Sequence, residues 1–439
     1  MFRLQRSQSC KIIVKPPGPK ARSWIERNKA ARAQPVHHLF PSFVASKAEG
    51  VYVTDVDGNV YIDFRNQYAN TGHANPKVIA AIKKQIAIGG CKVGLLPKVI
   101  LAERLKEIAP GALSSGKVGF ARGGTAAAER VILMVRSYSR RAVIFACQGS
   151  YHGDLLGSLS LTMGRPELKR RVYPLMPDVV HVPFPYCYRC PYRQEYPECG
   201  LVCADYIESV LDTVAPPEET AAFFVEPIQQ LGGVVIPPHE YFRKIRKICD
   251  KHRILLVDDE VAIGFGRTGK MFGIEHWGTE PDIMFMGKPI ANGLDLSAVI
   301  GRAEVMKFYR GSYGNSVSCA AAVANIETIL KEKLVENAAK VGKYTMRRLE
   351  EMQNEHESIG DVRGKGLLIG LELVENQRKK PGTKIAEKVS AKAYEKGLLI
   401  GVVGTYKQVL RLTPPLTMTI EQVDRALGIL EKSFRELNI

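Results

Sequence analysis

Two residues at the ends of two apolar runs carry the first chemical signal in this 439-residue chain. Lys288 closes Ile283-Met284-Phe285-Met286-Gly287-Lys288, and Asp259 closes Ile254-Leu255-Leu256-Val257-Asp258-Asp259. Each run is long enough for one buried strand and is followed by glycine-broken sequence. Side chains at the carboxyl ends of strands in an open α/β sheet meet in the ligand crevice. There a lysine amine can condense with an aldehyde, and a carboxylate can hold a proton on a ring nitrogen so that the ring draws electrons. That combination suits pyridoxal phosphate. A lone lysine after an apolar run reads as a snorkelling edge residue, so the pair carries the inference rather than either member.

The elements that must position this pair are legible around it. Ala142–Cys147 and Ala222–Pro227 are further strand candidates. Between the second of these and Ile254, the residues Tyr241, Phe242, Ile245, Ile248 and Cys249 recur as one face of a helix. Strand, helix and strand with long crossovers imply a mainly parallel sheet. Gly50 to Asp63 differs: two alternating runs flank Asp57-Gly58, a hairpin signal. Gly364 to Leu373 reads as a strand region, followed by a polar break at Lys379-Lys380-Pro381-Gly382. A last helix is predicted from Thr419, with Gln422 completing a capping box and Val423, Leu427, Leu430, Phe434 and Leu437 on its apolar face. The expected fold class is α/β, with a large domain over residues 76–325 and a smaller α+β domain from residues 1–75 and 326–439.

Composition excludes several function classes. Hydrophobic residues make up 45% and charged residues 24%, as in ordinary globular proteins. No apolar stretch approaches the roughly 20 residues that span a bilayer, so no membrane partner is expected. The formal charge of +17 is spread over sites such as Lys169-Arg170-Arg171, without aromatic interleaving or a nucleic-acid motif. It reads as solvated helix faces with some steering of anionic ligands, and no nucleic-acid partner is expected. The first 22 residues lack acids, which superficially suits a transit peptide. Cys10–Val14 nevertheless reads as a short strand and Pro16-Pro17-Gly18-Pro19 as a rigid lead-in to the first helix, so a cytoplasmic location is expected.

Cys187, Cys190, Cys199 and Cys203 form a C-x2-C-x8-C-x3-C cluster within an excursion over residues 185–205. The spacing suits a structural metal, disulfides or free thiols, and these alternatives stay open here. The four tyrosines and three prolines of Pro185–Pro197 mark a surface loop, and no catalytic metal is expected.

Taken in order along the chain, the motifs resemble the class III (ω-amino acid type) PLP-dependent aminotransferases, including 4-aminobutyrate and ornithine aminotransferases. The resemblance rests on Asp55-Val56-Asp57-Gly58, Gly72-His73-Ala74-Asn75-Pro76, Tyr151-His152-Gly153 and Glu226-Pro227-Ile228. It continues through Asp259-Glu260-Val261, Gly264–Lys270, Gly287-Lys288 and Arg411…Pro414-Pro415-Leu416. It covers the chain from about Pro17 onward.

This resemblance implies the PLP-dependent transferase fold of type I, pyridoxal 5'-phosphate as cofactor and a homodimer. Lys288 would hold the cofactor and move the Cα proton, with Asp259 on the pyridinium nitrogen. Val261 and Tyr151 would enclose the ring, while Gly124 and Thr125 of Gly123-Gly124-Thr125 would take the phosphate at a helix N-terminus. Glu226 and Arg411 would face the substrate carboxylate. The implied partners are a small-molecule amino acid and an oxo acid.

The chain also departs from the family. Gly123, Ala126 and Ala128 replace the Ser, Glu and Asn of the usual Ser-Gly-Thr-Glu-Ala-Asn, and Ala262 replaces Gln. The partner-facing threonine has no clear equivalent, Ser312 being the candidate. Arg65–Thr71 is about two residues short of what relatives carry. The leading expectation is an aminotransferase moving an amino group from an ω-amino acid or related amino acid, 4-aminobutyrate-like, to a 2-oxo acid such as 2-oxoglutarate. The alternatives are an amino acid racemase or epimerase using the same lysine, and a degenerate non-catalytic homologue.

Overall fold

The computed structural model describes residues 10–33, 43–90, 96–311 and 313–439. Its centre is a seven-stranded sheet of β1 (Lys117–Ala121), β2 (Val143–Cys147), β3 (Val179–Val182), β4 (Thr220–Val225), β5 (Leu255–Asp259), β6 (Ile283–Met286) and β7 (Ser297–Gly301). The spatial order is β1-β7-β6-β5-β4-β2-β3. Pairings from β6 through β5, β4 and β2 to β3 are parallel, while β7 runs antiparallel to both β1 and β6. The mainly parallel expectation therefore holds with one reversed strand.

Strands β4, β5 and β6 are buried throughout, as unbroken apolar runs demand when both sheet faces are covered. On one face Phe224, Val257 and Phe285 pack with Val131, Ile132 and Val135 of the helix Gly124–Ser139. On the other, Phe223 and Leu256 pack with Tyr241, Phe242 and Ile245 of the helix Tyr241–His252. The alternation of residues along β5 thus feeds two separate apolar layers and leaves its C-terminal carboxylates at the sheet's upper edge.

The two ends of the chain meet in a second sheet. Tyr52–Asp55 and Val60–Asp63 form the expected hairpin, and Leu398–Leu399 adds to it in parallel. The Asp55 carboxylate secures the turn by accepting from the backbone N–H groups of Asp57 and Asn59, each at 2.9 Å. Asp57 in turn accepts from the N–H groups of Lys20 and Ala21, capping the helix Pro19–Ala31. A third sheet joins Ile359–Lys365, Leu368–Leu373, Val409–Leu412 and Gly401–Val403. The final helix, Ile420–Leu437, begins at Thr419 with the expected capping box to Gln422.

Three expectations change in detail. Cys10–Val14 makes only a single bridge, Lys11 to Val60, because Asn59 takes the N–H groups of Ile13 and Val14 with its side chain. The strand region from Gly364 is a hairpin that starts earlier, at Ile359. The cysteines of the excursion are free thiols, and no group of three or more metal-ligating side chains among the described residues is arranged to hold an ion. Cys203 leaves the surface loop altogether: it is buried in the helix Val202–Thr213.

Asp258, next to the key aspartate, points into the opposite face of β5 and is fully buried with neither carboxyl oxygen hydrogen-bonded. Burial, then the neighbouring Glu260 and Asp259, push its pKa well above the usual carboxylate range. A carboxyl raised in this way stabilises the fold least once pH rises through the unfolded pKa toward the folded one. Asp258→Asn is therefore expected to raise the melting temperature by a few degrees at pH 8 and to flatten its decline as pH rises from about 4, the unfolded carboxyl value, to 8. Thermal unfolding across that range checks it; an unchanged slope would contradict the assignment.

Candidate active site

Lys288 and Asp259 do converge. Asp259 ends β5, Lys288 follows β6 by two residues, and both line a cavity of about 490 Å³. After Gly287 the chain enters a short 3-10 turn, Lys288–Ala291, and Lys288 itself sits at φ +32. A non-glycine residue held at positive φ is strained, a cost that surrounding structure sustains mostly at functional sites. Burial, then the Arg411 guanidinium, lower its amine from 10.5 to about 8. At pH 7.5 roughly a quarter of such an amine is neutral, against about one part in a thousand for an ordinary lysine.

Asp259 is fixed from two sides. Its Oδ2 lies 2.7 Å from Nδ1 of His152, and its Oδ1 accepts from the backbone N–H of Val261 at 3.0 Å. His152 is buried, and its Nε2 has no hydrogen-bond partner among the described residues. The loop carrying it is pinned from below: Thr162 Oγ1 accepts from the His152 N–H and donates to the Gly153 carbonyl. A hydrogen bond to a charged group contributes roughly 2 kcal/mol, so the imidazole holds the carboxylate in place more firmly than packing would. The motif Tyr151-His152-Gly153 was visible in the sequence, but a role for its histidine was not.

Gly124, Thr125, Tyr151 and Val261 line the same cavity. Gly124 opens the helix Gly124–Ser139, whose first N–H groups have no partner within the helix. A Cβ on Gly124 would sit 2.6 Å from Cγ1 of Val261, so glycine is what lets the helix end approach that valine. The Thr125 hydroxyl donates to the Asp154 carboxylate at 3.1 Å, an exposed group that can turn to solvent. Ser312 lies outside the described residues.

At the other end of the cavity, Glu226 accepts from the backbone N–H groups of Tyr151 at 2.9 Å and Gln230 at 3.3 Å. Burial pushes it up to about 7. Arg411 comes from the third sheet, where Gly401 stands opposite and leaves room for the guanidinium. Its Nη1 donates to Gln230 Oε1 at 3.3 Å and its Nε is buried without a partner among the described residues. Glu226 and Arg411 are thus both present but not paired with each other. Arg165, 9% exposed and missed in the sequence, also lines the cavity beside Tyr151. Its position follows from Met163 and Gly164, whose N–H groups bond the Ser150 carbonyl.

This is a cavity with one softened amine, two anchored carboxyl groups and two buried guanidinium groups. The class-III aminotransferase sequence profile matches residues 32–434. The chain belongs to the class-III aminotransferase family. An alanine/serine racemase of Pyrococcus horikoshii is 40% identical, over 97% of this chain and 93% of its own. A 4-aminobutyrate aminotransferase of Mycobacterium leprae is 34% identical, over 97% and 98%. Among solved structures, an (S)-enantioselective omega-transaminase from Thermomicrobium roseum superposes with a TM-score of 0.88 at 29% identity, covering 95% of this chain and 99% of that one.

The family is one of PLP-dependent transaminases, and the fold is the type I fold of those enzymes. The residues fit the cofactor: a helix N-terminus whose first N–H groups have no partner within the helix, a glycine that permits close approach, and a lysine and a fixed carboxylate lining one cavity. The lowered amine gives a pH test. PLP capture by cofactor-free protein is expected to speed up as pH rises through about 8, because the neutral amine is the nucleophile. Absorbance stopped-flow checks it; a midpoint near the ordinary lysine value would refute the burial argument, and Lys288→Ala is expected to abolish the bound spectrum.

Proposed function

We propose that this enzyme is an aminotransferase that moves an amino group from an ω-amino acid or related amino acid, 4-aminobutyrate-like, to a 2-oxo acid such as 2-oxoglutarate. The carrying observation is Arg411: a buried guanidinium, facing the lysine cavity, whose hydrogen-bond partner is an amide oxygen rather than a carboxylate. A planar fork held in that condition matches the two oxygens of a substrate carboxylate. Lys288 then removes and returns the proton at the carbon bearing nitrogen, since its neutral form is available near pH 8.

When bound, pyridoxal phosphate supplies the electron sink that makes this proton acidic. Asp259 is assigned to the ring nitrogen, Val261 and Tyr151 to its faces, Gly124 and Thr125 to its phosphate, and Ser312 to the phosphate of the cofactor in the partner subunit. Glu226 stands beside Tyr151 and Gln230 at the substrate end, and Arg165 adds positive charge there. We assign the enzyme to the cytoplasm and to a homodimer. Ile86, Ile88 and Leu96, exposed on or beside the helices Pro76–Gly89 and Leu96–Ile108, support an interface.

Racemisation is the second reading, supported by the racemase relative and by Glu226. A carboxyl at about 7 is a further group near neutrality that can hold or return a proton. Incubating PLP-loaded protein with single amino acids separates the readings. Release of an oxo acid, one per cofactor without acceptor and repeatedly with 2-oxoglutarate, supports transfer. D-amino acid without oxo acid, lost in Glu226→Gln, supports racemisation instead. Neither product from any amino acid would favour the non-catalytic alternative. Arg411→Lys is expected to raise KM for carboxylate substrates by about tenfold or more with less effect on kcat, because a point charge does not replace a fork.

A further inference from the structure

A second and larger cavity, about 1110 Å³, lies behind the wall of the first. It is bounded by the cysteine-rich excursion, by the loop at Arg378–Pro381 and by Thr405–Gln408. Its lining includes the cations Arg189, Arg193, Arg378 and Lys379 against one carboxylate, Glu195. The acid beneath it, Glu372, is fully buried and already engaged by Tyr186, Arg189, Arg363 and Gln408. Those contacts leave the Nη2 of Arg189 buried without a partner among the described residues. Lys379 lies over the Tyr188 ring at 4.5 Å, while Tyr406, a residue 57% exposed, lines the cavity. The amides of Gln148 and Gln194 line it too.

We propose that this cavity binds a nucleoside polyphosphate. With Arg189 already held by Glu372, Arg193, Arg378 and Lys379 converge against the single lining carboxylate of Glu195, and such a surplus of cations suits several phosphate oxygens. An exposed aromatic face suits a planar base, which stacks on such rings regardless of its identity. Side-chain amides along the rim suit the base's polar edge. An inorganic polyanion would use the cations alone and leave Tyr406 and the amides without purpose.

The wall gives such a ligand a route to the active cavity. Along the loop after β2, Gln148 and Gly149 line the second cavity while Tyr151 and His152 line the first. Met163 faces the second and Arg165 the first; Gln229 and Gly232 face the second while Gln230 and Leu231 face the first. The wall is one loop thick and tightly packed: Gln229 Nε2 bonds the Gln148 carbonyl at 2.8 Å, and a Cβ on Gly232 would meet the Gly149 carbonyl at 2.8 Å. Occupancy on one side therefore alters the side chains assigned to substrate on the other.

Calorimetric titration of ATP into the PLP-loaded enzyme, without substrate, tests binding independently of which reaction the enzyme performs. Saturable binding is expected, weakened by about tenfold in Arg193→Glu and in Lys379→Glu and severalfold in Tyr406→Ala, with the cofactor spectrum unchanged. ATP is also expected to slow alkylation of Cys187, whose exposed thiol lines the cavity, and to shift KM for the amino acid in wild type but not in Lys379→Glu. No saturable binding at millimolar ATP would overturn the proposal, as would binding that ignores the charge reversals. Pyrophosphate binding as tightly as ATP would overturn the nucleoside assignment.

Discussion

The active cavity depends on one buried hydrogen-bonded pair, the Asp259 carboxylate and the His152 imidazole at 2.7 Å. A carboxylate at the end of a fully buried strand is costly to keep unless its oxygens are occupied. Here one oxygen takes the imidazole and the other takes the Val261 N–H. The second bond also turns the chain after β5, and that turn brings the Val261 side chain against Gly124 and Gly287. A single carboxylate therefore sets the height of the site, the valine that lines it and the approach of the helix end opposite.

Electrostatic balance follows from this anchor. Lys288, Arg165 and Arg411 share one cavity, and burial first, then neighbouring guanidinium charge, makes Arg411 and Lys288 harder to keep charged. The lysine yields, because an amine can shed its proton and a guanidinium cannot. The same arginine that suits a substrate carboxylate thus helps keep the lysine neutral. A bound carboxylate on Arg411 would cancel part of that repulsion, raise the lysine's proton affinity and favour its taking a proton from the substrate carbon. Under the proposed assignments, substrate charge and base strength would be coupled through Arg411.

Much of this was legible from residue types. Apolar runs ending in Asp259 and Lys288 located the sheet edge because such runs have no other stable home than a doubly covered sheet. The Asp57-Gly58 turn and the Thr419 cap were readable because each is settled by a few adjacent residues. What stayed hidden depends on distant pairings. His152 meets Asp259 across 107 positions, and Arg411 meets Gln230 across 181. Arg165 gave no periodic or motif signal, since a backbone bond from Gly164 to Ser150 places it. The reversal of β7 was equally hidden, because apolar content does not encode strand direction.

The departures from the family motif carry different weight once placed. Ala127 and Ala128 lie fully buried in the layer between the helix Gly124–Ser139 and the sheet, so Ala128 serves packing there. Ala262 is different, because it lines the cavity itself and offers no hydrogen bond to anything bound there. With Ala262 the site loses a polar contact at one edge, while Asp259, Val261 and Gly124 keep their positions through backbone geometry that no side chain at 262 controls. Under the proposed assignments, the cofactor would be held by enclosure and by the lysine, with one polar contact fewer at the Ala262 edge. An enzyme built this way is sensitive to whatever moves the Tyr151 and Gln230 loops, because those loops form the enclosure.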